Sequence, residues 1–182
     1  ENLKVTIKGH VGYYCGGMNK NAEIVIDGNA GTGLGENMMS GVIHVKGNVS
    51  QSAGATAHGG TIIINGNASS RCGISLKGAD LIVKGSVGHM SAFMAQSGTL
   101  LVCGNAGEAL GDSIYETVIY LAGKPKSLGV DCEEKNITKK DLIKIDELLK
   151  IGNIKNIKAN KFKKYGSARK LYNFQIDNIS DY

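Results

Sequence analysis

The sequence has no tryptophan and a single proline, Pro125, and aromatic residues make up only 5% of its 182 positions. So small an aromatic share excludes a core built on large rings, and one proline excludes a proline-rich linker. No apolar run approaches the roughly 20 residues that a membrane span needs. No basic segment followed by an apolar one opens the chain, so no secretory signal is expected. The chain begins at Glu1 rather than Met, and a preceding segment is compatible with that. The four cysteines show no C-x-x-C spacing, which argues against a zinc or iron–sulfur site within this chain. What is abundant is glycine, 26 residues, roughly twice ordinary usage.

The glycines are unevenly placed. Residues 1–123 hold 23 of them, with 7 basic against 8 acidic residues. Residues 124–182 hold 3, with 14 basic against 8 acidic residues. The overall charge of +5 therefore belongs to the tail, and a boundary falls near 123–125, next to Pro125. We read 1–123 as one domain and 124–182 as a basic appendage.

Glycine recurs every 19 residues, at Gly9, Gly28, Gly47, Gly66, Gly85, Gly104 and Gly123. A short alternating segment precedes each. The positions four and two residues before the glycine are aliphatic in all seven copies: Val5/Ile7, Ile24/Ile26, Ile43/Val45, Ile62/Ile64, Leu81/Val83, Leu100/Val102 and Ile119/Leu121. Spacing of two puts them on one face of a strand. The residue between them varies: Thr6, Val25, His44, Ile63, Ile82, Leu101, Tyr120. After the glycine comes His10, Asn29, Asn48, Asn67, Ser86, Asn105 or Lys124. Gly and Asn suit left-handed corners, and asparagines stacked from coil to coil suit a hydrogen-bonded ladder.

A strand, a corner and a return to the same phase every 19 residues predict a stack of coils about 4.8 Å apart. The fold class is therefore all-β: a right-handed parallel β-helix of about seven coils. An antiparallel sandwich would need strands of alternating role, whereas every repeat here has the same inward pattern.

The open ends of such a stack need caps, and the tail is a candidate cap or clamp. Thr138 to Asp141 reads as a helix start with Thr138 as N-cap. Leu142, Ile145, Leu148 and Leu149 keep helical spacing, and Gly152 suits the stop, so a helix is expected near 139–151. Lys155–Lys164 is basic and weakly patterned. Leu171, Tyr172, Phe174 and Ile176 form a short apolar segment able to dock on the rod or on a partner.

Chemical motifs are scarce. Gly31-Thr-Gly33-Leu-Gly35 lacks the third spacing and the following helix of a dinucleotide-binding loop. The repeat explains Gly31 and Gly35 as corners, because Gly12, Gly88 and Gly107 share the phase of the first and Gly16, Gly54, Gly73 and Gly111 that of the second. Cys15 and Cys72 share a phase three coils apart, roughly 14 Å at 4.8 Å per coil, which is beyond disulfide reach. Cys15 and Cys72 read as small core residues, and the four cysteines together fit a reducing, cytoplasmic setting. His10, His44, His58 and His89 occupy four different phases and do not stack. No G-x-S-x-G occurs, and no spacing ties Ser, His and acidic residues into a triad. We assign no catalytic, cofactor-binding or metal-binding residue. The basic tail carries few aromatics and no nucleic-acid-binding motif, so nucleic acid is not an expected partner, and neither is a membrane.

Several runs resemble one family. Gly28-Asn-Ala-Gly-Thr-Gly-Leu-Gly-Glu-Asn-Met-Met-Ser-Gly41 is similar to the signature of the GXGXG domain, the C-terminal domain of the glutamate synthase large subunit. Gln51–Gly60, Ser70–Ser75, Gly88–Ala95 and Gly107–Asp112 match in order, across roughly residues 4–132. Ser167–Tyr172 resembles the tail of stand-alone versions of the domain. The resemblance implies a right-handed β-helix without catalytic residues of its own. It implies a structural subunit that holds a class II glutamine amidotransferase subunit against a flavin/iron–sulfur glutamate synthase subunit. FMN and the iron–sulfur cluster would sit on those partners. The equivalent subunit of methylamine–glutamate N-methyltransferase or of formylmethanofuran dehydrogenase is the main alternative, and a β-helix enzyme acting alone is another. A homo-oligomer stays open. On this reading Ile63, Ile82 and Leu101, on the variable strand face, are expected to be exposed and partner-facing.

Overall fold

A computed structural model describes residues 3–169. The apolar segment Leu171–Ile176 lies outside the described residues, as does the second half of the Ser167–Tyr172 run.

Seven strands form at the positions that the 19-residue period marks. They are β1 (Lys4–Lys8), β2 (Glu23–Asp27), β3 (Val42–Val45), β4 (Thr61–Ile64), β5 (Lys77–Val83), β6 (Ser97–Val102) and β7 (Val118–Leu121). Each pairs in parallel with the next, and the register is the period itself: Val5 faces Ile24, which faces Ile43, and so on to Ile119. This is a parallel β-solenoid, with six complete turns between the seven strands. A second column of bridges runs beside the sheet, from Val11 through Ala30, Val49, Ala68, Val87 and Ala106 to Pro125. In this column each N–H donates to the coil that follows, as Ala106 does to Lys124 at 3.1 Å. Pro125 stands in the last coil, where no such bond is needed, so its missing N–H costs nothing.

The core is the inside of the stack. Ile43, Ile62, Leu81, Leu100 and Ile119 make one fully buried column, and Val45, Ile64, Val83, Val102 and Leu121 another. Cys72 takes its place among them, fully buried beside Leu34, Ala53 and Leu110 of the same phase.

The corners work differently from the sequence-based expectation. Of the seven repeating glycines only Gly9 has a left-handed backbone (φ +109°), and the asparagines after them are not left-handed either. What the glycines permit is contact. A Cβ on Gly85 would lie 2.7 Å from the carbonyl oxygen of Gly66, and one on Gly66 would lie 2.8 Å from that of Gly47. The asparagines form the expected ladder, with the backbone as its other half. The side-chain oxygen of Asn29 accepts from the N–H of Asn48, that of Asn48 from Asn67, and that of Asn67 from Ser86, each at 2.8 Å. Ser86 Oγ and Asn105 Oδ1 continue it to Lys124, at 3.0 and 2.9 Å. His10 Nδ1 begins it by accepting from Asn29. Asn67→Ala is expected to cost about 1 kcal/mol, an ordinary hydrogen bond at an exposed position, and Asn67→Asp to recover most of it. Denaturation midpoints of the two variants check this.

The tail both caps and clamps the stack. Strand β9 (Lys163–Ser167) adds antiparallel to the edge of β7, and β8 (Cys132–Lys135) pairs outside β9. The helix α1 (Lys139–Ile151) starts with a capping box: Thr138 Oγ1 accepts from the Asp141 N–H and Asp141 accepts from the Thr138 N–H. Gly152 ends the helix without turning left-handed, at φ −71°, and the reversal falls on Asn153, at φ +50°. Gly152 serves close approach instead, since a Cβ there would meet Ile82 Cγ2 at 3.1 Å.

The expected exposure of Ile63, Ile82 and Leu101 is corrected by this clamp. All three are buried, together with Tyr120, under Ile145, Leu148, Leu149, Ala159 and Phe162. Where α1 lies over it, the variable face is aliphatic from β4 to β6 and carries Tyr120 on β7. It is polar or half-open at Thr6, Val25 and His44, beyond the helix. Each aliphatic side chain buried there stabilises the clamp by roughly 1.5–3 kcal/mol.

Candidate functional site

Two features stand out from the plain stack: the turn that carries the glycine-rich signature, and the polar cluster that fixes the tail.

The signature turn is the same in six coils. Counting from the corner glycine, the residues five, seven and nine places on have left-handed backbones. In the second coil they are Gly33, Gly35 and Asn37, with φ of 75°, 65° and 53°. In the fourth they are Arg71, Gly73 and Ser75, and in the fifth Met90, Ala92 and Met94, with φ between 50° and 70°. Non-glycine residues rarely adopt this conformation, so the neighbouring coils must hold it in place. They do so with hydrogen bonds that alternate in direction. Tyr14 N–H donates forward to Thr32 O at 2.9 Å, Gly35 N–H donates back to Cys15 O at 2.9 Å, and Met18 N–H donates forward to Glu36 O at 2.8 Å. The glycines of the run Gly31-Thr-Gly33-Leu-Gly35 thus serve stacking. A Cβ on Gly31 would strike the Gly12 carbonyl at 2.8 Å, and one on Gly35 would strike Ile62 Cδ1 at 2.6 Å. The N–H groups of its three glycines are taken by neighbouring coils, donating to Val11 O, Gln51 O and Cys15 O, so they are not free to cradle a phosphate.

The second feature centres on Asp141, in the first turn of α1 and buried. Its Oδ1 accepts from Tyr120 Oη at 2.7 Å and pairs with Lys164 Nζ at 2.8 Å. Its Oδ2 accepts from the Thr138 N–H and hydroxyl, each at 2.7 Å. Burial alone would raise the Asp141 pKa. The hydrogen bonds from Lys164, Thr138 and Tyr120 outweigh it and hold the carboxyl well below its ordinary range. Burial, reinforced by the carboxylate, pushes the Tyr120 phenol upward. Neither group is poised near neutrality, so the cluster is a fastener between β7, α1 and β9 rather than an acid–base pair. Thr138 and Asp141 were legible as a helix start. Tyr120 and Lys164 were not, because they reach the cluster through long-range packing. A second tie, Lys144 Nζ to Asp80 Oδ2 at 2.8 Å, joins the middle of α1 to β5.

The histidines stay apart. His44 Nε2 bonds Asn65 Oδ1 at 3.0 Å and His89 Nδ1 bonds Ser70 Oγ at 3.1 Å, while His58 is exposed. Among the described residues, no three His, Cys, Asp or Glu side chains gather as a metal site. A cleft of about 610 Å³ beside the clamp is lined by Cys103, Ala122, Asn156, Ile157, Lys158, Asn160 and Lys161. Burial pushes the Cys103 thiol up to about 11, against the lesser pull of Lys84, so it is not an activated nucleophile. Burial also raises Cys72, to about 12. Alkylation at pH 8 followed by mass spectrometry is expected to leave Cys72 and Cys103 unmodified in the folded chain and to label both in denaturant. Rapid native labelling of Cys72 would contradict the packing described. Among the described residues, no helix is long and apolar enough to cross a membrane.

Comparison with known proteins agrees with this architecture. The sequence matches the family described as "GXGXG motif" over residues 56–177. It is 64% identical over 178 residues to Protein GlxC of Rhizobium meliloti (strain 1021), covering 98% of this chain and 78% of that protein. No solved structure matches. The matched residues include the turns of the fourth, fifth and sixth coils, and the chain belongs to the GXGXG family.

Proposed function

We propose that the chain is a structural subunit of a glutamate synthase-like complex, in the cytoplasm, without catalytic residues of its own. Its task is to hold a class II glutamine amidotransferase subunit and a flavin/iron–sulfur synthase subunit in fixed relation. The complex would release ammonia from glutamine on the first and form glutamate from 2-oxoglutarate on the second. FMN and the iron–sulfur cluster belong to the synthase subunit.

One observation carries this reading. The signature residues spend their backbone groups and their lack of side chains on joining coil to coil. A signature that builds a rod rather than a pocket fits a part whose role is shape. Coils stacked in register, with a hydrogen-bonded ladder along one corner and a helix fastened across one face, make a stiff body suited to spacing two enzymes. The resemblance to the C-terminal domain of the glutamate synthase large subunit names the enzymes.

The experiment is purification of the tagged chain from its native cells, with identification of what accompanies it and a visible spectrum. A stoichiometric complex with an amidotransferase and a flavoprotein, showing flavin and iron–sulfur absorption, is expected. A colourless chain without partners would overturn the reading. A coloured complex lacking the amidotransferase would favour the redox assemblies named above as alternatives.

A further inference from the structure

The tail spends part of its positive charge inside the chain and keeps part of it free. Lys144, Lys163, Lys164 and Arg169 pair with Asp80, Glu134, Asp141 and Asp131. Lys158 and Lys161, at the short turn of helix Ala159–Lys161 that leads into β9, are exposed and pair with no acid among the described residues. Both line the cleft of about 610 Å³ beside the clamp. The stack supplies Cys103 and Ala122 to the same cleft. They are neighbours in one outward column, and Lys84 is the next residue of that column, followed by Asn65. Lys84 is close enough to act on the Cys103 thiol, and it too has no acidic partner among the described residues. Ile157 adds apolar surface, and Asn156 and Asn160 add amides. None of the residues lining the cleft is acidic.

Three ammonium groups around an apolar floor select their occupant. Like charges held near one another repel, and an anion laid among them turns that cost into attraction. The acids that could neutralise them are used elsewhere: Asp80, Asp131, Glu134 and Asp141 each hold another cation. A second cleft of about 460 Å³ adjoins the first, sharing Ile157, Lys158 and Asn160 and reaching Leu142, Leu149 and Lys150 on α1. Together the two are longer than a small anion fills, and they suit an extended chain. Neither cleft is lined by an aromatic ring, so bases of a nucleic acid would have nothing to stack on. A polypeptide fits better. Its carboxylates meet the lysines, its aliphatic side chains rest on Cys103, Ala122 and Ile157, and its backbone meets the asparagine amides.

We propose that this cleft docks an extended acidic segment of a partner polypeptide, in which Asp or Glu residues flank an aliphatic one. The proposal rests on the reading of the chain as an assembled subunit, and names a surface and the partner's chemistry for it.

The test has two arms, both on the full chain. In the first, a blocked peptide of alternating Glu and Leu is titrated onto it. Saturable binding that weakens with added salt is expected. The side chains of Lys158 and Lys161 are exposed, so the double variant Lys158→Glu, Lys161→Glu should keep its circular dichroism spectrum. It should bind the peptide roughly tenfold more weakly, arginine at both positions should retain binding, and a peptide of alternating Lys and Leu should bind the double variant instead. No saturable binding at millimolar peptide overturns the proposal, and so does binding indifferent to the charge reversal. Equal affinity for an oligonucleotide of the same charge also overturns it, because the site is then a general polyanion surface. In the second arm, a photo-crosslinking residue replaces Asn160 in the complex purified from native cells. A bond to an acidic segment of a partner subunit is expected. A bond only to residues 170–182 of this chain overturns the proposal, since the occupant is then the chain's own end. The two readings fail distinguishably. A chain that purifies without partners overturns the subunit reading and this one with it. A complex that keeps its full stoichiometry with the double variant and gives no crosslink to a partner leaves the subunit reading standing and overturns this surface.

Discussion

Gly85→Ala is expected to destabilise the chain by on the order of 3 kcal/mol, although it adds one methyl group at a half-open corner. The new Cβ would lie 2.7 Å from Gly66 O and 2.9 Å from Gly66 C, and closer still to the Asn67 side chain. Backbone cannot swing aside as a side-chain tip can. Coils four and five must therefore separate locally, which strains the 3.0 Å bond from Gly85 N–H to Gly66 O and the Asn67–Ser86 rung beside it. Gly9→Ala is the control from the same column. Among the described residues no coil lies before Gly9, and its Cβ would meet nothing within 4 Å of them. Its cost comes only from φ +109° and should be about 1–2 kcal/mol. Urea midpoints for the two variants separate the explanations. Equal losses would mean that backbone conformation, not coil contact, keeps glycine in this column.

That contrast shows what the sequence makes legible. The 19-residue period is local information repeated, and parallel register follows once each copy lands on its predecessor. Positions such as Ile62 and Ile64 could be placed inside from spacing alone. Corner geometry was less legible. Glycine signals both left-handed backbone and close approach, and only coordinates separate Gly9 from Gly85. The turn residues Arg71, Met90 and Met94 carried no signal, because the coils above and below hold their left-handed backbone rather than their own side chains.

The tail was legible in its elements and not in its target. Helical spacing in Leu142–Leu149 shows an apolar face but not what that face meets. The target is three rows of one sheet, Ile63, Ile82 and Leu101, which the repeat alone leaves looking exposed. Strand β9 was hidden for a related reason. Lys163-Lys-Tyr-Gly-Ser167 has little alternation, and it is a strand because β7 offers an edge. The basic character of the tail finds an ordinary use. Lys144, Lys163 and Lys164 pair with Asp80, Glu134 and Asp141, so these charges hold the clamp.

Asp141 ties β7, α1 and β9 together, and Asp141→Ala should loosen the clamp. The variant leaves Lys164 Nζ and Tyr120 Oη without their buried acceptor and removes half of the capping box. Breaking a buried ion pair from one side costs about 3–5 kcal/mol, and the lost cap adds about 1 kcal/mol. Residues 139–167 bury their aliphatic side chains against only one face of the rod, so the expected result is local. Helical signal falls, the solenoid persists, and Ile82 and Leu101 become open to a hydrophobic dye. Acid should do gradually what the mutation does at once. The Asp141 carboxyl is held below its ordinary value in the folded chain. Its contribution is therefore complete above the unfolded value of about 3.9 and is lost as pH falls below it toward the folded value. Asp141→Asn keeps the shape and removes the titration. Its stability should start lower and stay flatter than wild type between about pH 5 and pH 2, the range over which such a carboxylate takes up its proton. Parallel curves for the two proteins would place the acid sensitivity elsewhere. Equal dye binding by Asp141→Ala and wild type would mean that the apolar contacts of Ile145, Leu148 and Leu149 hold the clamp without the carboxylate.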